Sequence, residues 1–483
     1  MNAFDYFFEN TSALEKTFLG GREETSFRTL HDKSLRLATW LRQEVGTGKS
    51  IFILSGNNLF FLTTYFAVIK SGNICIPLDP AIERDNFNYI KDLTNPAIIF
   101  LTRDIARKLA MQEESCIFPD TMPDYQGEEL VKPEPGYDRE QCAEIIFTSG
   151  STGKPKGVMI SHKNLIANTA SIIEYLKLSS DDRMLVVLPF YYCYGLSLLH
   201  THLRVGGSII LNNSFIFLGG IIRDLKDHRC TGFAGVPSHY QILLRKSESF
   251  KETRFPDLRY VTQAGGKLAP IFIDEFRHSF PDVTFYVMYG QTEATARLSY
   301  LPPSLYEEKK GSMGKGIPGV ELRVVDEKGK DIKPGEVGEV IARGDNIMIG
   351  YFHDEEGTRN TIRNGWLFTG DLGTVDGDGY IYLTARKKEI IKVRGKRISP
   401  KEIEAVILEI PEVIDCTIEG VEDEIQGEML KAVVVVRKDG SKRLTSEAIM
   451  QHCSKHLALF KVPQVYELQE ELTISATGKK IKK

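Results

Sequence analysis

The apolar residues follow two alternating periods along the first half of the chain. The continuous run IFILSG beside Ser50 predicts a strand, the roughly 3.6-residue repeat of NLFFLTTYFAVIKSG predicts a helix, and ICIPLD, which ends at Asp79, predicts a second strand. Further strand-like runs begin at Arg183, Gly207 and Thr284. This alternation favours an α/β fold in which helices are layered on mostly parallel sheets.

The pattern changes after Gly319, where short apolar runs are separated by glycine turns. Such runs predict an antiparallel or barrel-like section. A basic segment, RKKEIIKVRGKR, starts at Arg386 and leads to the helical pattern ISPKEIEAVILEI. We expect Ser399 to be the N-cap of this helix, Pro400 its first residue and Glu402 the partner of Ser399 in a capping box.

The length of the chain predicts more than one structural unit. A chain of 483 residues is too long for one ordinary hydrophobic core. We predict a large domain over residues 1–387, made of layered β-sheets, helices and the barrel-like section. A small, mobile α+β domain is predicted over residues 388–483, within the usual range of domain sizes.

Composition narrows the class of protein. The 61 basic and 65 acidic residues give a net charge of −4, which does not indicate nucleic-acid binding. The apolar run from Leu59 is too short to cross a membrane, and the N-terminal residues lack the basic-then-apolar order of a signal peptide. The seven cysteines form no C-x-x-C pair, so we expect reduced thiols and a cytoplasmic protein.

The most distinctive local sequence is IIFTSGSTGKPKGVMISH, residues 145–162. A strand-like run leads into a loop whose backbone N–H groups, hydroxyls and lysines can bind a polyphosphate. The spacing does not fit a Walker A loop, because no glycine precedes the lysine at the required position. The candidate phosphate-binding residues are Thr148, Ser149, Gly150, Ser151, Thr152, Gly153, Lys154 and Lys156.

The order T-S-G-S-T-G-x-P-K-G resembles the phosphate loop of the ANL superfamily, which contains acyl- and aryl-CoA synthetases, adenylation domains of nonribosomal peptide synthetases, and luciferases. The resemblance extends over essentially the whole chain, since further motifs follow in the family's order. It implies a ligase that forms carbon–sulfur bonds. Such an enzyme activates a carboxylic acid with ATP and Mg²⁺ to an acyl-AMP and pyrophosphate, and then transfers the acyl group to a thiol.

The resemblance places two segments around the nucleotide. In QAGGKLAP, Gly265 and Gly266 are expected to let the adenine approach the backbone, with Lys267 at the rim. The family often has alanine after these glycines, so Lys267 is a departure. In MYGQTEAT, Gly290 is expected beside the nucleotide and the acyl pocket. The resemblance implies that Tyr289 stacks on adenine and that Thr292 binds the α-phosphate. It also implies that Glu293 holds Mg²⁺.

Three more motifs complete the resemblance. The T-G-D motif implies that Asp371 binds both ribose hydroxyls, because a carboxylate offers two acceptor oxygens. Arg386 is expected to contact ribose or phosphate, although the usual glycine before it is alanine here, and Lys388 is implied as the interdomain hinge. The terminal motif makes Lys479 the expected catalytic lysine, and it implies contact with the substrate carboxylate and the α-phosphate. Lys480 is an adjacent competitor for this role.

The acyl pocket is implied near PFYYCYGLSLL, residues 189–199. Amino-acid-activating relatives have an aspartate near this segment, and its absence argues against α-amino acids because an unpaired buried ammonium is costly. We therefore expect an acid with an apolar or aromatic body. The candidate substrate-binding residues are Tyr192, Tyr194, Gly195, His239 and Gln291. Tyr192 is equally compatible with a gate to the thiol tunnel and with ordinary packing.

The acceptor is the least determined part of the prediction. No carrier-protein domain follows Lys483, so we expect a separate acceptor, with coenzyme A first and the phosphopantetheine of a discrete carrier protein second. Arg397 is expected to contact phosphate after domain rotation, although a solvated basic face explains it equally well. The alternatives are an enzyme that forms acyl-AMP without thiolation, as in a luciferase-like activity, and a non-enzymatic ATP-binding regulator. His200 and His202 are expected in packed secondary structure rather than in a metal site.

Overall fold

The computed structural model describes residues 1–112, 116–148, 154–215, 217–393, 396–423, 427–437 and 444–470.

The chain begins with alternating strands and helices, as its apolar periods predict. The strands are β1 Thr17–Gly20, β2 Thr25–Ser26, β3 Ser50–Leu54, β4 Ile74–Pro77, β5 Ile98–Leu101, β6 Cys116–Ile117, β7 Cys142–Thr148, β8 Lys156–Ser161, β9 Arg183–Val186, β10 Ser208–Leu211, β11 Gly232–Gly235, β12 Tyr260–Gln263, β13 Thr284–Tyr289, β14 Ser299–Leu301, β15 Lys315–Gly316, β16 Val320–Val325, β17 Gly338–Gly344, β18 Gly350–Tyr351, β19 Ile362–Arg363, β20 Trp366–Val375, β21 Ile381–Arg386, β22 Ile391–Val393, β23 Lys396–Ile398, β24 Val413–Asp423, β25 Gly427–Val436 and β26 Val465–Gln469.

The α-helices lie between and beside these strands. They are α1 Ala3–Phe8, α2 Phe27–Glu44, α3 Leu59–Ser71, α4 Arg84–Thr94, α5 Arg103–Leu109, α6 His162–Leu176, α7 Cys193–Val205, α8 Leu218–Asp227, α9 Pro237–Lys246, α10 Glu248–Glu252, α11 Pro270–Ser279, α12 Glu355–Thr361, α13 Pro400–Ile407 and α14 Ser446–His456.

Two mostly parallel sheets form the framework of the large domain. One has the strand order β15-β14-β13-β12-β11-β9-β10-β1-β2, and the other has β18-β8-β7-β4-β3-β5-β6. The strand–helix–strand unit predicted around α3 is confirmed, because β3 and β4 pair in parallel on either side of it. The side chains of α3 are buried from Phe60 to Ser71, as expected for a helix that is apolar on all sides.

The section after Gly319 is antiparallel, as its glycine-punctuated pattern predicts. Strands β16, β17, β20 and β19 are neighbours in this order, and β21 pairs with β20. The β20–β21 register places Asp371 opposite Arg386. This sheet therefore brings together two of the residues singled out in the sequence.

The small domain contains the pair β22–β23, the sheet β24–β25–β26 and the helices α13 and α14. It contacts the large domain through α9, where Arg245 donates to the carbonyl groups of Ile410, Pro411 and Val413 at 2.7–3.2 Å. Gln241 in the same helix donates to Asp415 at 3.0 Å. These contacts fix the orientation of the small domain in this structure.

The N-terminal end of α13 differs from the sequence prediction in one respect. Ser399 is the N-cap residue and Pro400 the first helical residue, but the Ser399 side chain makes no capping bond to the helix. Its hydroxyl donates instead to the carbonyl of Thr384, and Glu402 accepts from Lys461 at 2.6 Å. The predicted capping box is therefore wrong, because contacts with β21 and with the segment after α14 use both side chains.

Within the described ranges, no helix is both long enough and apolar enough to cross a membrane. All seven cysteines are free thiols.

Candidate active site

The phosphate-loop segment connects two paired strands. β7 and β8 are antiparallel, and their register ends with Thr148 opposite Lys156. Ser149, Gly150, Ser151, Thr152 and Gly153 lie outside the described residues. The hairpin thus presents Lys154 and Lys156 on the β8 side of the loop.

A groove of about 350 Å³ opens beside this hairpin. The ammonium group of Lys154 lies 5.3 Å from the centre of the Tyr89 ring, and that of Lys156 lies 4.9 Å from the centre of the Tyr351 ring. Lys156 also pairs with Asp354 at 2.6 Å, and this pairing lowers the pKa of the Asp354 carboxyl. Two cations therefore converge on a groove large enough for a polyphosphate chain.

The T-E motif lies next to this groove. Glu293 accepts a 2.8 Å hydrogen bond from the Tyr351 hydroxyl, and Tyr351 lies beside Lys156. Thr292 is buried, and its hydroxyl lies 3.6 Å from the sulfur of Cys193 in α7. Tyr351 and Asp354 were not identified from the sequence, because they lie about two hundred residues from Lys156 along the chain.

The backbone of this motif is strained. Thr295 has a φ of 63° and a ψ of −52°, a γ-turn conformation that non-glycine residues rarely adopt. The turn is held by a 2.7 Å bond from Thr295 Oγ1 to the carbonyl of Asn346. A Cβ on Gly290 would lie 1.9 Å from the carbonyl oxygen of Ala296, so this position requires glycine. Such strain persists only where the surrounding structure fixes it, and it often marks functional sites.

The Asp371 carboxylate accepts hydrogen bonds from two side chains. Tyr289 donates to Asp371 Oδ2 at 2.6 Å, and Arg386 Nε donates to Oδ1 at 2.8 Å. Burial, followed by the charge of Asp371, raises the pKa of Tyr289 well above its usual value. Since a carboxylate has about four lone-pair sites, these two bonds leave acceptor capacity for a diol. Asp371 is therefore held in one orientation and has lone pairs left for further donors.

The adenine-motif turn contacts the tyrosine segment. Gly265 has a φ of +83°, and a Cβ there would lie 2.9 Å from the Tyr192 hydroxyl. The turn is closed by a 2.7 Å bond from Gln263 to the carbonyl of Gly266, while Lys267 donates to the carbonyl of Leu383 at 2.9 Å. The structure thus places the predicted adenine turn directly against the predicted acyl region.

The tyrosine segment, residues 191–194, leads into α7 with Tyr192 as its N-cap residue, and the side chains of Tyr192 and Tyr194 have different surroundings. Tyr194 is buried, and its hydroxyl donates to the carbonyl of Thr262 at 2.9 Å. Tyr192 lies 6.5 Å from Tyr194 between ring centres, in an edge-on arrangement. A Cβ on Gly195 would lie 2.2 Å from the carbonyl of Pro189, so this glycine serves close packing. Tyr192 is therefore the member nearest to the nucleotide turn.

The other predicted substrate-binding residues, His239 and Gln291, lie on elements other than α7. His239, in α9, is fully buried and stacks on Phe215 with 4.0 Å between ring centres; burial lowers its pKa to about 3. Gln291 is partly buried and is the N-cap of the 3₁₀ turn Thr292–Ala294.

Arg297 is a feature of this region that the sequence prediction missed. It is 2% exposed, and its guanidinium lies 4.0 Å from the centre of the Tyr194 ring. A cation–π contact of this kind is strongest when it is shielded from water. An arginine two residues after a threonine-rich turn gives no sequence signal of burial, so only the fold reveals this internal cation.

A second missed feature connects the phosphate hairpin to α7. The Tyr65 hydroxyl lies 2.7 Å from both Glu144 Oε2 and His200 Nε2, and all three side chains are buried. Burial raises the pKa of Glu144 to about 7 and lowers that of His200 to about 3. Glu144 and His200 also line an internal cavity of about 10 Å³. The prediction that His200 and His202 lie in packed secondary structure is confirmed.

The remaining predicted residues belong to the interdomain region and the C-terminus. Lys388 is exposed between β21 and β22, and Arg397 is exposed in β23, opposite Lys392. Lys479 lies outside the described residues. The structure therefore brings the nucleotide motifs together and leaves the terminal lysine undescribed.

Comparison with known proteins agrees with this arrangement. The family model described as AMP-binding enzyme matches residues 8–352, and the AMP-binding enzyme C-terminal domain matches residues 402–479. The oxalate–CoA ligase of Arabidopsis thaliana is 30% identical over 95% of this chain and 93% of its own length. A feruloyl-CoA synthase of Amycolatopsis sp is 30% identical over 96% and 93%, respectively.

The solved structures show the same fold. The o-succinylbenzoate CoA synthetase of Bacillus subtilis, in complex with its acyl-adenylate intermediate, superposes with a TM-score of 0.85, covers 99% of this chain and 96% of its own, and is 25% identical. The chain thus belongs to the AMP-binding enzyme family of the adenylating superfamily. It is an AMP-forming acid–thiol ligase with a large N-terminal and a small C-terminal α/β domain, so the predicted fold and enzyme class are confirmed.

Proposed function

We propose that this ligase converts a carboxylic acid without an α-amino group, together with ATP, into an acyl-AMP and pyrophosphate, and then transfers the acyl group to coenzyme A. The observation that supports the site assignment is an uninterrupted series of contacts. It passes from Lys156 through Tyr351 to Glu293, continues to the adjacent Thr292, and reaches Cys193 beside Tyr192. The series joins the phosphate groove to the acyl region.

The phosphate end fits ATP and its Mg²⁺. Glu293 offers one carboxylate beside two lysines, which suits an ion that takes one or two protein carboxylates together with phosphate oxygens. When bound there, Mg²⁺ neutralises charge on the phosphates. Lys154 and Lys156 would bind the β- and γ-phosphates, and Tyr351 keeps Glu293 oriented toward them.

Asp371 and Thr292 would position the reacting phosphate. Asp371 binds the ribose hydroxyls while Arg386 and Tyr289 prevent it from rotating. Thr292 binds the α-phosphate at the point where the series of contacts meets the acyl region. Holding the carboxylate and the α-phosphate in attack geometry provides much of the rate enhancement in such reactions. We assign to Lys479 the neutralisation of charge as the carboxylate attacks.

The electrostatics at the acyl end oppose an α-amino acid. The charge that acts on both Tyr192 and Tyr194 is the guanidinium of Arg297, which counteracts the burial-driven rise in their pKa values. A substrate ammonium beside these rings would be repelled by a second cation in a medium of low dielectric constant. The nearby carboxylate of Asp79 acts on Tyr191 instead. An acid with an apolar or aromatic body avoids this repulsion.

Coenzyme A as the acceptor is supported by the two sequence relatives, whose names describe CoA thioester formation. The reaction belongs in the cytoplasm, which is consistent with seven free cysteines. We propose that Lys388 is the hinge about which residues 388–483 rotate between adenylation and thioester formation. Such a rotation requires the contacts of Arg245 with residues 410–413 to break and re-form.

To test the acceptor, the enzyme is given a carboxylic acid that it adenylates, together with ATP and Mg²⁺. Either coenzyme A or a phosphopantetheinylated carrier protein is then added. Mass spectrometry then measures the thioester. We expect rapid acyl-CoA formation and little loading of the carrier. Preferential loading of the carrier would contradict the assignment, and acyl-AMP that persists with both acceptors would contradict thiol transfer.

A further inference from the structure

Three side chains of metal-ligating types lie close together in the small domain, and none of them is among the candidate site residues described above. They are Glu409, just after α13, and His452 and His456, one turn apart at the C-terminal end of α14. One ligand atom from each lies within 4.8 Å of the other two. We propose that these residues form a binding site for a divalent transition-metal ion of the zinc class.

The helix spacing produces the histidine pair. Residues four apart lie on the same face of an α-helix, so their side chains can reach one ion. The two imidazole rings have 4.6 Å between their centres and are tilted by 36°, so they lie side by side on this face. His456 is the last residue of α14, where the partial negative charge of the helix end favours a cation.

The third ligand lies at the separation that a tetrahedral site requires. Glu409 Oε2 lies 3.5 Å from His452 Nε2. Ligand atoms bound about 2.0–2.2 Å from a zinc ion at tetrahedral angles lie roughly 3.3–3.6 Å apart. The pair therefore already has the spacing of two metal ligands, and a ligand nitrogen of His456 lies within 4.8 Å of both.

The donor set determines the class of ion. Two imidazole nitrogens and one carboxylate oxygen suit Zn²⁺ and its neighbours in the transition series, and zinc commonly uses this combination with one position left for water. Mg²⁺ prefers oxygen ligands throughout, so the ion that accompanies ATP does not compete effectively here. The site is thus distinct in chemistry from Glu293 in the active site.

One existing contact must be exchanged when the metal binds. His452 Nε2 donates to the carbonyl of Val406 at 3.1 Å, so this nitrogen has to lose its proton before it can bind an ion. Glu409, which follows α13, is adjacent to Ile410, whose carbonyl accepts from Arg245 of the large domain. Metal binding would tie the end of α14 to this interdomain segment.

The test is zinc binding to the full chain, without a histidine tag and without ATP, measured by calorimetry in excess Mg²⁺. His456→Gln and Glu409→Gln remove one ligand each at exposed positions. His278→Gln is the matched control, because His278 is also exposed and in the last turn of a helix, α11. We expect one equivalent of Zn²⁺ on the native chain, at least about tenfold weaker binding in the two ligand variants, and no change in the control.

A second measurement covers the structural consequence. Zinc is expected to slow hydrogen exchange in peptides covering residues 400–410 and 446–456 of the native chain, and not in those of His456→Gln. Equal affinity in His456→Gln and the native chain would overturn the proposal. So would the absence of stoichiometric binding, or a Glu409→Gln variant that binds as tightly as the native chain.

Discussion

The proposed nucleotide end and the proposed acyl end of the site are built in different ways. At the nucleotide end, Asp371 and Glu293 are each held by hydrogen bonds from side chains on other strands. At the acyl end, the Tyr192 ring and the Arg297 guanidinium pack against the Tyr194 ring, whose hydroxyl donates to the carbonyl of Thr262. The first arrangement fixes polar groups for one invariable cosubstrate, whereas the second defines a shape and a charge. Variants at the two ends should therefore have different kinetic consequences.

The largest effect is expected for Lys479→Ala. Loss of a preorganised electrostatic contact typically lowers the rate by about 10²–10³-fold. Acyl-AMP formation should fall by this factor for every acid, while thioester formation from supplied acyl-AMP continues. Rapid-quench measurement of each half-reaction checks this, with Lys480→Ala as the control for the neighbouring lysine. Equal loss in both half-reactions would contradict the role of Lys479.

The next largest effect is expected for Asp371→Asn. Hydrogen bonds to a charged group contribute about 1.5–3 kcal/mol, which corresponds to a loss of roughly 10–100-fold in kcat/KM for ATP. The loss should be the same with every acid, because ribose is common to all the reactions. Asp378→Asn, at an exposed position in the turn between β20 and β21, is the control and should behave like the native enzyme. A loss that varies with the acid would break the distinction between the two ends.

How much the sequence could predict also differs between the two ends. The phosphate loop and the Y-G-x-T-E and T-G-D motifs could be identified because their residues match the motifs of the family in the same order. Their partners Tyr351, Asp354 and Tyr289 could not be paired in advance, since those contacts depend on how distant strands meet. The buried Arg297 could not be foreseen at all, because its burial results from tertiary packing. Glu402 shows the reverse case, because the local sequence predicts a capping box that does not form. Its carboxylate accepts a hydrogen bond from Lys461 instead.

A smaller effect, on preference rather than rate, is expected for Tyr192→Ala. Removing this ring enlarges the acyl region, and changes of this kind alter discrimination by about 1–3 kcal/mol, or roughly 10–200-fold. Acids with a bulkier body should gain in kcat/KM relative to smaller ones by about tenfold, near the lower limit of that range. Lys156→Ala is the counterpart at the nucleotide end and should raise the KM for ATP without changing the preference. Competition experiments with pairs of acids measure the ratio directly.

The smallest effect on activity is expected for Glu144→Gln, since this residue lies between the two ends and contacts neither substrate region directly. Its effect is on stability. Because the pKa of Glu144 is raised from 4.5 to about 7, the folded state binds more protons at this site than the unfolded state between these values. The native chain therefore loses stability as the pH rises through this interval, by on the order of 1–3 kcal/mol.

The Glu144→Gln variant cannot ionise at this position. Its free energy of unfolding should therefore not decrease with pH for this reason. Urea unfolding at pH 5 and pH 8 should give a difference in unfolding free energy, variant minus native, that is larger at pH 8. The buried histidines are the same in both proteins, so their contribution cancels. A difference that is constant with pH would contradict the assignment of this titration to Glu144.

The central claim is that the enzyme forms an acyl-AMP from an acid without an α-amino group, and carboxylate-dependent pyrophosphate exchange tests it most directly. Matched pairs isolate the ammonium group: 3-phenylpropanoate with phenylalanine, propanoate with alanine, and acetate with glycine, beside longer fatty and aryl acids. We predict ATP- and Mg²⁺-dependent exchange with at least one acid that lacks the amino group, and negligible exchange with all three amino acids. Robust exchange with any amino acid, or exchange with no carboxylic acid in the panel, would contradict the account.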